Sequence, residues 1–195
     1  MDVTFYFDPV CPFTWRTSRW LAGVASERDV TVSWQAFSLS ILNRDDVPEQ
    51  FRASMTASSR ALRLVEALAA DGRNDRAAAF YTEIGNRTFE AGADLTDDIV
   101  VAAAEAAGID DARRILDDES WDEAVRASHD RAFRSAGPDV GSPVLAIEGA
   151  PRAVHGPILG LNGGPGRAEA LAIWDAVVPL TRSGVFVELK RGRDE

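Results

Sequence analysis

The chain's one cysteine, Cys11, stands directly before Pro12. Proline is favoured at the first position of a helix, where its missing N–H is no loss, so Cys11 is the expected N-cap. A side chain at that position faces the free amides two and three residues on, here Phe13 and Thr14. It also sits at the positive end of the helix dipole. Both influences favour a thiolate and predict a Cys11 pKa below that of a free thiol. A lone cysteine is ordinarily a small buried hydrophobe; the strand–Cys–Pro–helix context turns the reading toward a nucleophile.

Most other chemistry is excluded by scarcity. One cysteine rules out an internal disulfide, and with only two histidines, His129 and His155, no zinc set of the Cys/His type is expected. The one lysine, Lys190, follows no glycine-rich loop, and neither G-x-S-x-G nor G-x-G-x-x-G occurs. The net charge of −10 argues against nucleic acid, whose sequence-independent binding rests on Lys and Arg at phosphates. Apolar runs fall far short of the roughly 20 residues that span a bilayer. The N-terminus carries no basic-then-apolar leader, so the chain reads as cytoplasmic.

The elements that must position Cys11 follow from periodicity. With 195 residues, 46% hydrophobic and 27% charged, the chain reads as globular and able to fold without disulfide or metal. Val3 to Phe7 is a nearly continuous β-favouring run, as in a strand buried on both faces. A helix is predicted from Pro12 to about Ala25, carrying Trp20, Leu21 and Val24. Val30 to Phe37 alternates, with Val30, Val32, Trp34 and Ala36 on one face, which completes a β-α-β unit. From Pro48 to about Ala136 only helix signals occur. Leu62, Val65 and Leu68 stop at Gly72, and Ile99, Val100, Ala103 and Ala107 stop at Gly108. Ser120-Trp121-Asp122-Glu123 reads as a capping box that opens a helix ending before Gly137-Pro138. Val144 to Ile147 and Arg152 to His155 read as a hairpin, and Gly164-Pro165 precedes a last helix with Leu171, Trp174 and Val178 on one stripe.

The segment Phe7-Asp8-Pro9-Val10-Cys11-Pro12-Phe13-Thr14-Trp15 resembles the active-site segment of DsbA-like thioredoxin-fold proteins, whose motif is Cys-Pro-x-Cys. Gly141-Ser142-Pro143 resembles their cis-proline loop. The similarity is greater to the mycothiol-dependent nitroreductase branch, also described as DsbA-family oxidoreductases. It is carried further by Thr17-Ser18-Arg19-Trp20, Ser38-Leu39-Ser40-Ile41-Leu42-Asn43, Arg44-Asp45-Asp46-Val47-Pro48-Glu49-Gln50, Gly85-Asn86-Arg87 and Glu188-Leu189-Lys190-Arg191. The resemblance implies an α/β thioredoxin fold with a large inserted helical domain. The thioredoxin-like part would be residues 1–47 and 137–195, and the insertion residues 48–136. It also implies a cis Ser142–Pro143 bond opposite Cys11 and a thiol site that includes Pro12, Phe13, Trp15, Asn43, Ser142 and Pro143. The implied cofactor is a low-molecular-weight thiol, mycothiol ahead of glutathione, acting with a small-molecule substrate; a homodimer is compatible with it.

The departures narrow the chemistry. Thr14 stands where the motif has its second cysteine, and Phe13 where the branch usually has Trp. A threonine hydroxyl is too weak an acid to resolve a disulfide, but it can donate a hydrogen bond to the Cys11 thiolate. Three readings follow. In the first, Cys11 forms a mixed disulfide with a small thiol that a second thiol molecule resolves. In the second, the protein resembles kappa-class glutathione transferases and acts as a transferase or isomerase without net redox. In the third, it binds a thiol or partner without turnover. Arg87 could hold an acidic ligand group or form a structural ion pair. His155 reads as a loop residue rather than a base, and His129 as packing or surface. The tryptophans read mostly as core, with Trp15 the one expected to line a pocket.

Overall fold

The computed structural model describes residues 1–44 and 46–192. Strand β1 (Asp2–Phe7) leads through a short turn into α1 (Pro12–Arg28), and β2 (Thr31–Ala36) returns parallel to β1. A run of helices follows: α2 (Leu39–Asn43), α3 (Arg52–Ala70), α4 (Asn74–Gly85), α5 (Asp97–Ala106), α6 (Ala112–Leu116) and α7 (Asp122–Ala136). The chain then re-enters the sheet as β3 (Val144–Ile147) and β4 (Val154–His155) and closes with α8 (Arg167–Arg182). The four strands lie in the order β2-β1-β3-β4, with β3 antiparallel to both β1 and β4. Phe5 pairs with Trp34 on one side and Leu145 on the other. That central place accounts for the greasy run at the N-terminus: Val3, Phe5, Tyr6 and Phe7 are all buried.

The two faces of β1 meet different helices. Phe5 and Phe7 belong to the main core with Trp20, Leu21 and Val24 of α1 and Trp174 of α8. Tyr6 and Val144 join Phe37 and Ala132 of α7 on the other side. The main core does not stop at the sheet. It continues through Leu64 and Leu68 of α3, Phe80, Tyr81 and Ile84 of α4, and Val100 of α5. The outer edge of β2 is closed by side chains from those helices. Asn74 accepts from the Trp34 amide at 2.8 Å and donates to its carbonyl at 2.9 Å, and Glu66 accepts from the Ala36 amide at 2.8 Å. An edge strand finished in this way offers little to a foreign strand.

Two expectations change. α1 runs a turn further than Ala25, to Arg28, where Asp29 takes a left-handed conformation (φ 55°) as C-cap. The capping box at Ser120 does not form. Asp118 instead accepts from the Ser120 amide at 3.0 Å, drawing Glu119–Trp121 into a 3-10 turn ahead of α7. An aspartate two residues upstream competes for the same amide and wins by local geometry.

Gly85 inside α4 has a packing reason. A Cβ there would lie 2.1 Å from the Trp15 ring, so only glycine permits the approach. The helix continues as a π turn over Asn86–Glu90, which brings Glu90 to accept from Trp15 Nε1 at 2.7 Å.

Candidate active site

The end of β1 and the start of α1 are joined by one tight turn, in which the Cys11 amide donates to the Asp8 carbonyl at 3.1 Å. Pro12 opens the helix and Cys11 is its N-cap in extended conformation (φ −89°, ψ 115°). Across from it the loop before β3 brings up Ser142, whose peptide bond to Pro143 is cis. The Cys11 thiol donates to the Ser142 carbonyl at 3.6 Å. Thr14, one turn into α1 and fully buried, has its Oγ1 2.8 Å from Ser142 Oγ, and Ser142 Oγ accepts from the Asp8 amide at 3.0 Å. Cys11, Thr14 and Ser142 are therefore one hydrogen-bonded group, while Pro12 and Phe13 are half-buried beside the sulfur.

The state of the sulfur differs from expectation. Burial pushes the Cys11 thiol up, because a thiolate loses its hydration; Cys11 is only 8% exposed. The Thr14 hydroxyl and amide pull the other way, the Asp8 charge pushes up again, and the Phe13 amide pulls down. The Phe13 and Thr14 amides lie close enough to favour a thiolate, yet neither caps the sulfur with a well-formed hydrogen bond. Against the predicted low pKa, the net shift at Cys11 is upward, and its thiol points at a carbonyl. Desolvation outweighs the N-cap and dipole, each of which is worth about 1 kcal/mol.

Asp8 is the residue that motif reading passed over. It is 2% exposed, and its carboxylate accepts from the Leu39 amide at 2.7 Å, the Val10 amide at 3.1 Å and the Ser58 hydroxyl. Burial raises its pKa, and the bonds from Ser58, Leu39 and Val10 lower it in turn, leaving a net upward shift. One carboxylate thus ties the turn before Cys11 to the starts of α2 and the middle of α3. A buried strand running straight into Asp-Pro was the signal available in the sequence.

Other predicted site residues are placed elsewhere. Trp15 is 1% exposed and belongs to the core, with Tyr81 edge-on, Phe89 stacked and the Arg19 guanidinium 4.3 Å above its ring. The helical segment covers it, since Tyr81 and Phe89 pack directly on the indole. Asn43 is exposed at the end of α2, and its carbonyl accepts from the Asp46 amide at 2.9 Å; no hydrogen bond joins it to the Cys11 group among the described residues. Arg87 pairs with Glu83 one turn earlier in the helix, the structural reading. His129 is buried against Phe37 and accepts from the Ser38 amide at 3.3 Å, and burial lowers its pKa. His155 lies on the exposed end of β4. A groove of about 610 Å³ between α2 and α7, lined by Arg44, Arg126, His129 and Phe133 among others, does not include Cys11. Among the described residues no cluster of His, Cys, Asp and Glu could hold a metal ion, and no helix is long and apolar enough to cross a membrane.

A family profile described as Rv2466c-like, mycothiol-dependent nitroreductase Rv2466c, matches residues 10–191. The chain belongs to that family. A Mycobacterium tuberculosis protein, Rv2286c, is 28% identical over 195 residues, covering 97% of this chain and 81% of its own. Among solved structures, the cytosolic disulfide reductase DsbM from Pseudomonas aeruginosa superposes with a TM-score of 0.58 at 16% identity, over 92% of this chain and 100% of that one. DsbM has also been solved with GSH, at a TM-score of 0.56 and 15% identity, with the same coverage. A 2-hydroxychromene-2-carboxylate isomerase gives 0.56 at 18% identity, over 93% and 97% of the two chains. The fold is therefore the DsbA-like thioredoxin fold, and family membership makes the protein an enzyme of the thiol oxidoreductase kind.

Proposed function

We propose that the protein is a single-cysteine oxidoreductase in which Cys11 exchanges disulfides with a low-molecular-weight thiol, mycothiol ahead of glutathione. The observation that carries this reading is the pairing of the one thiol in the chain, at the start of α1, with Ser142 on the loop before β3. The residues around the sulfur suit such a ligand. Ser142 offers a backbone carbonyl at hydrogen-bonding distance, and Pro12 and Phe13 give a half-buried apolar rim.

The steps balance without any other redox group. The Cys11 thiolate attacks a mixed disulfide, forming a Cys11–S–S–thiol bond and expelling the other half as a thiolate. A second thiol, as thiolate, attacks the bond on the ligand's sulfur; Cys11 leaves as thiolate and a symmetrical small-molecule disulfide departs. The sum is an exchange in which one free thiol is consumed for each mixed disulfide. The substrate half leaves reduced as its thiolate, the ligand half and the added thiol leave joined as the symmetrical disulfide, and the protein returns unchanged. Thr14 and Ser142 support the charged sulfur. With the Asp8 amide donating to Ser142 Oγ, the Ser142 hydroxyl is free to donate to Thr14 Oγ1 and Thr14 to donate to sulfur, a relay in which each bond strengthens the next.

The raised Cys11 pKa favours a second reading, a transferase or isomerase in which the protein sulfur only orients a bound thiol. One experiment separates the two. Incubated with mycothiol disulfide and followed by intact mass, the wild type should gain a single adduct, and Cys11→Ser should gain none. Release should need added thiol and quicken with its concentration, because no other cysteine is present to displace it. Thr14→Cys should make the adduct transient and leave an internal disulfide. Absence of an adduct with mycothiol or glutathione disulfide, while Cys11 still alkylates, overturns the redox reading in favour of the second.

A further inference from the structure

The groove of about 610 Å³ is walled on one side by the end of α2 and on the other by one face of α7. Arg126, His129, Asp130 and Phe133 recur along that face at the three- and four-residue steps of a helix. His129 is 4% exposed, yet only one of its ring nitrogens is engaged. Nδ1 accepts from the Ser38 amide at 3.3 Å, which fixes the neutral tautomer with its proton on Nε2. The Nε2–H finds no hydrogen-bond acceptor among the described residues, so this donor is left to the groove that the ring lines. A donor in so dry a place calls for an acceptor. Arginine use singles out the same groove. The chain carries a net charge of −10, and most of its guanidinia are met by a carboxylate or a carbonyl, as Arg63 is by Asp122 and Arg76 by Ala107. Arg44 and Arg126 both line the groove, and neither side chain has a hydrogen bond or ion pair among the described residues.

We propose that this groove binds a small organic anion, its carboxylate or phosphoryl head received by His129 Nε2–H and the guanidinia of Arg44 and Arg126, its apolar body laid on Leu42 and Phe133. A guanidinium offers a planar fork of donors that suits either head group. An apolar lining with a few placed polar groups is the usual make-up of a small-molecule site. Here Phe133 is stacked on His129 at 6.1 Å between ring centres, so the apolar wall adjoins the donor. Asp130 also lines the groove, but Arg134 stands 3.8 Å from its carboxylate, outside the groove wall, and offsets its charge. Burial lowers the His129 pKa, the Asp130 charge raises it and the Arg126 charge lowers it, so both charges reach the imidazole. The site is separate from the thiol site, since neither Cys11 nor Ser142 lines it.

Long-range proton–nitrogen NMR of the full chain tests this, because the histidines are only His129 and His155 and His155→Gln assigns their signals. The probes are phenyl phosphate and benzoate. At least one of them should shift the His129 ring nitrogens saturably while His155 stays still, and the tighter of the two names the head group. Benzyl alcohol, which has the apolar body without the charge, should not saturate. Arg126→Gln, at an exposed position, should weaken binding roughly tenfold with an unchanged far-UV spectrum. Arg73→Gln removes a guanidinium that also has no side-chain partner among the described residues but lies outside the groove, and it should leave binding as it was. No saturable shift with either anion at millimolar concentration overturns the proposal. So does binding indifferent to Arg126→Gln, an equal loss with Arg73→Gln, or benzyl alcohol binding as well as the anions.

Discussion

At the scale of single residues, the site balances burial of a sulfur against the donors aimed at it. A thiol that is 8% exposed and bonded to the Ser142 carbonyl prefers its proton. Iodoacetamide alkylation of the native protein as a function of pH should therefore show a midpoint above the roughly 8.5 of a free thiol. Thr14→Val should move it higher still, since the Thr14 hydroxyl is the largest influence holding it down. Ionisation of Cys11 also opposes folding. Its raised native pKa contributes stability that is complete below the unfolded value and is lost as pH rises through the native one. Asp8 obeys the same sign. Its native pKa lies above the ordinary carboxylate value, so the stability it lends is present at low pH and falls away as pH climbs through the native pKa. Asp8→Asn should accordingly flatten the decline of the denaturation midpoint with rising pH in the acid range. Urea titrations of both proteins at several pH values would read that difference in slope, and parallel curves would show that Asp8 carries no such shift.

At the scale of elements, α1 and α4 cross where Gly85 meets Trp15. The indole is held by Tyr81 edge-on, Phe89 in a stack and Glu90 at its Nε1, so it has no room to retreat from a Cβ at 2.1 Å. Gly85→Ala would normally help a helix by up to about 1 kcal/mol. Here overpacking should prevail and cost about 1–3 kcal/mol, measured as a lowered denaturant midpoint with unchanged slope. The variant should also loosen the start of α1 and with it the frame of Cys11, so alkylation at fixed pH should quicken. The motif segments that carry Trp15 and Gly85 thus meet in one packing contact.

At the scale of the whole molecule, the helices between β2 and β3 share the core of the sheet. Phe80 is buried in the same cluster as Phe5, Leu21 and Trp174. Phe80→Ala should cost about 3–5 kcal/mol and shift a single unfolding transition. Tryptophan fluorescence, with Trp34 in the sheet and Trp15 against α4, should report the same midpoint as far-UV circular dichroism. Two separated transitions would mean that the helical segment holds together on its own.

Much of this was legible in the residues because local rules decide it. Continuous burial made Val3–Phe7 a central strand, Cys11-Pro12 marked a helix start, and Gly72, Gly108 and Gly137 ended helices where left-handed or otherwise non-helical backbone needs them. It was the resemblance of the Cys-Pro and Gly-Ser-Pro segments to DsbA-like proteins, added to the order of elements, that led to the thioredoxin fold and to a loop at Ser142–Pro143 opposite Cys11. What escaped sequence reading depends on residues distant in the chain. The protonation of Cys11 is set by how completely Asp8, Thr14 and the loop at Ser142 shut water out, a sum over three segments that no local motif contains. The role of Asp8 exists only once Leu39 and Ser58 arrive beside it. Trp15 was misplaced for the same reason: its neighbours Tyr81, Phe89 and Glu90 lie 66 or more positions away, so its burial is a property of packing rather than of the motif that carries it.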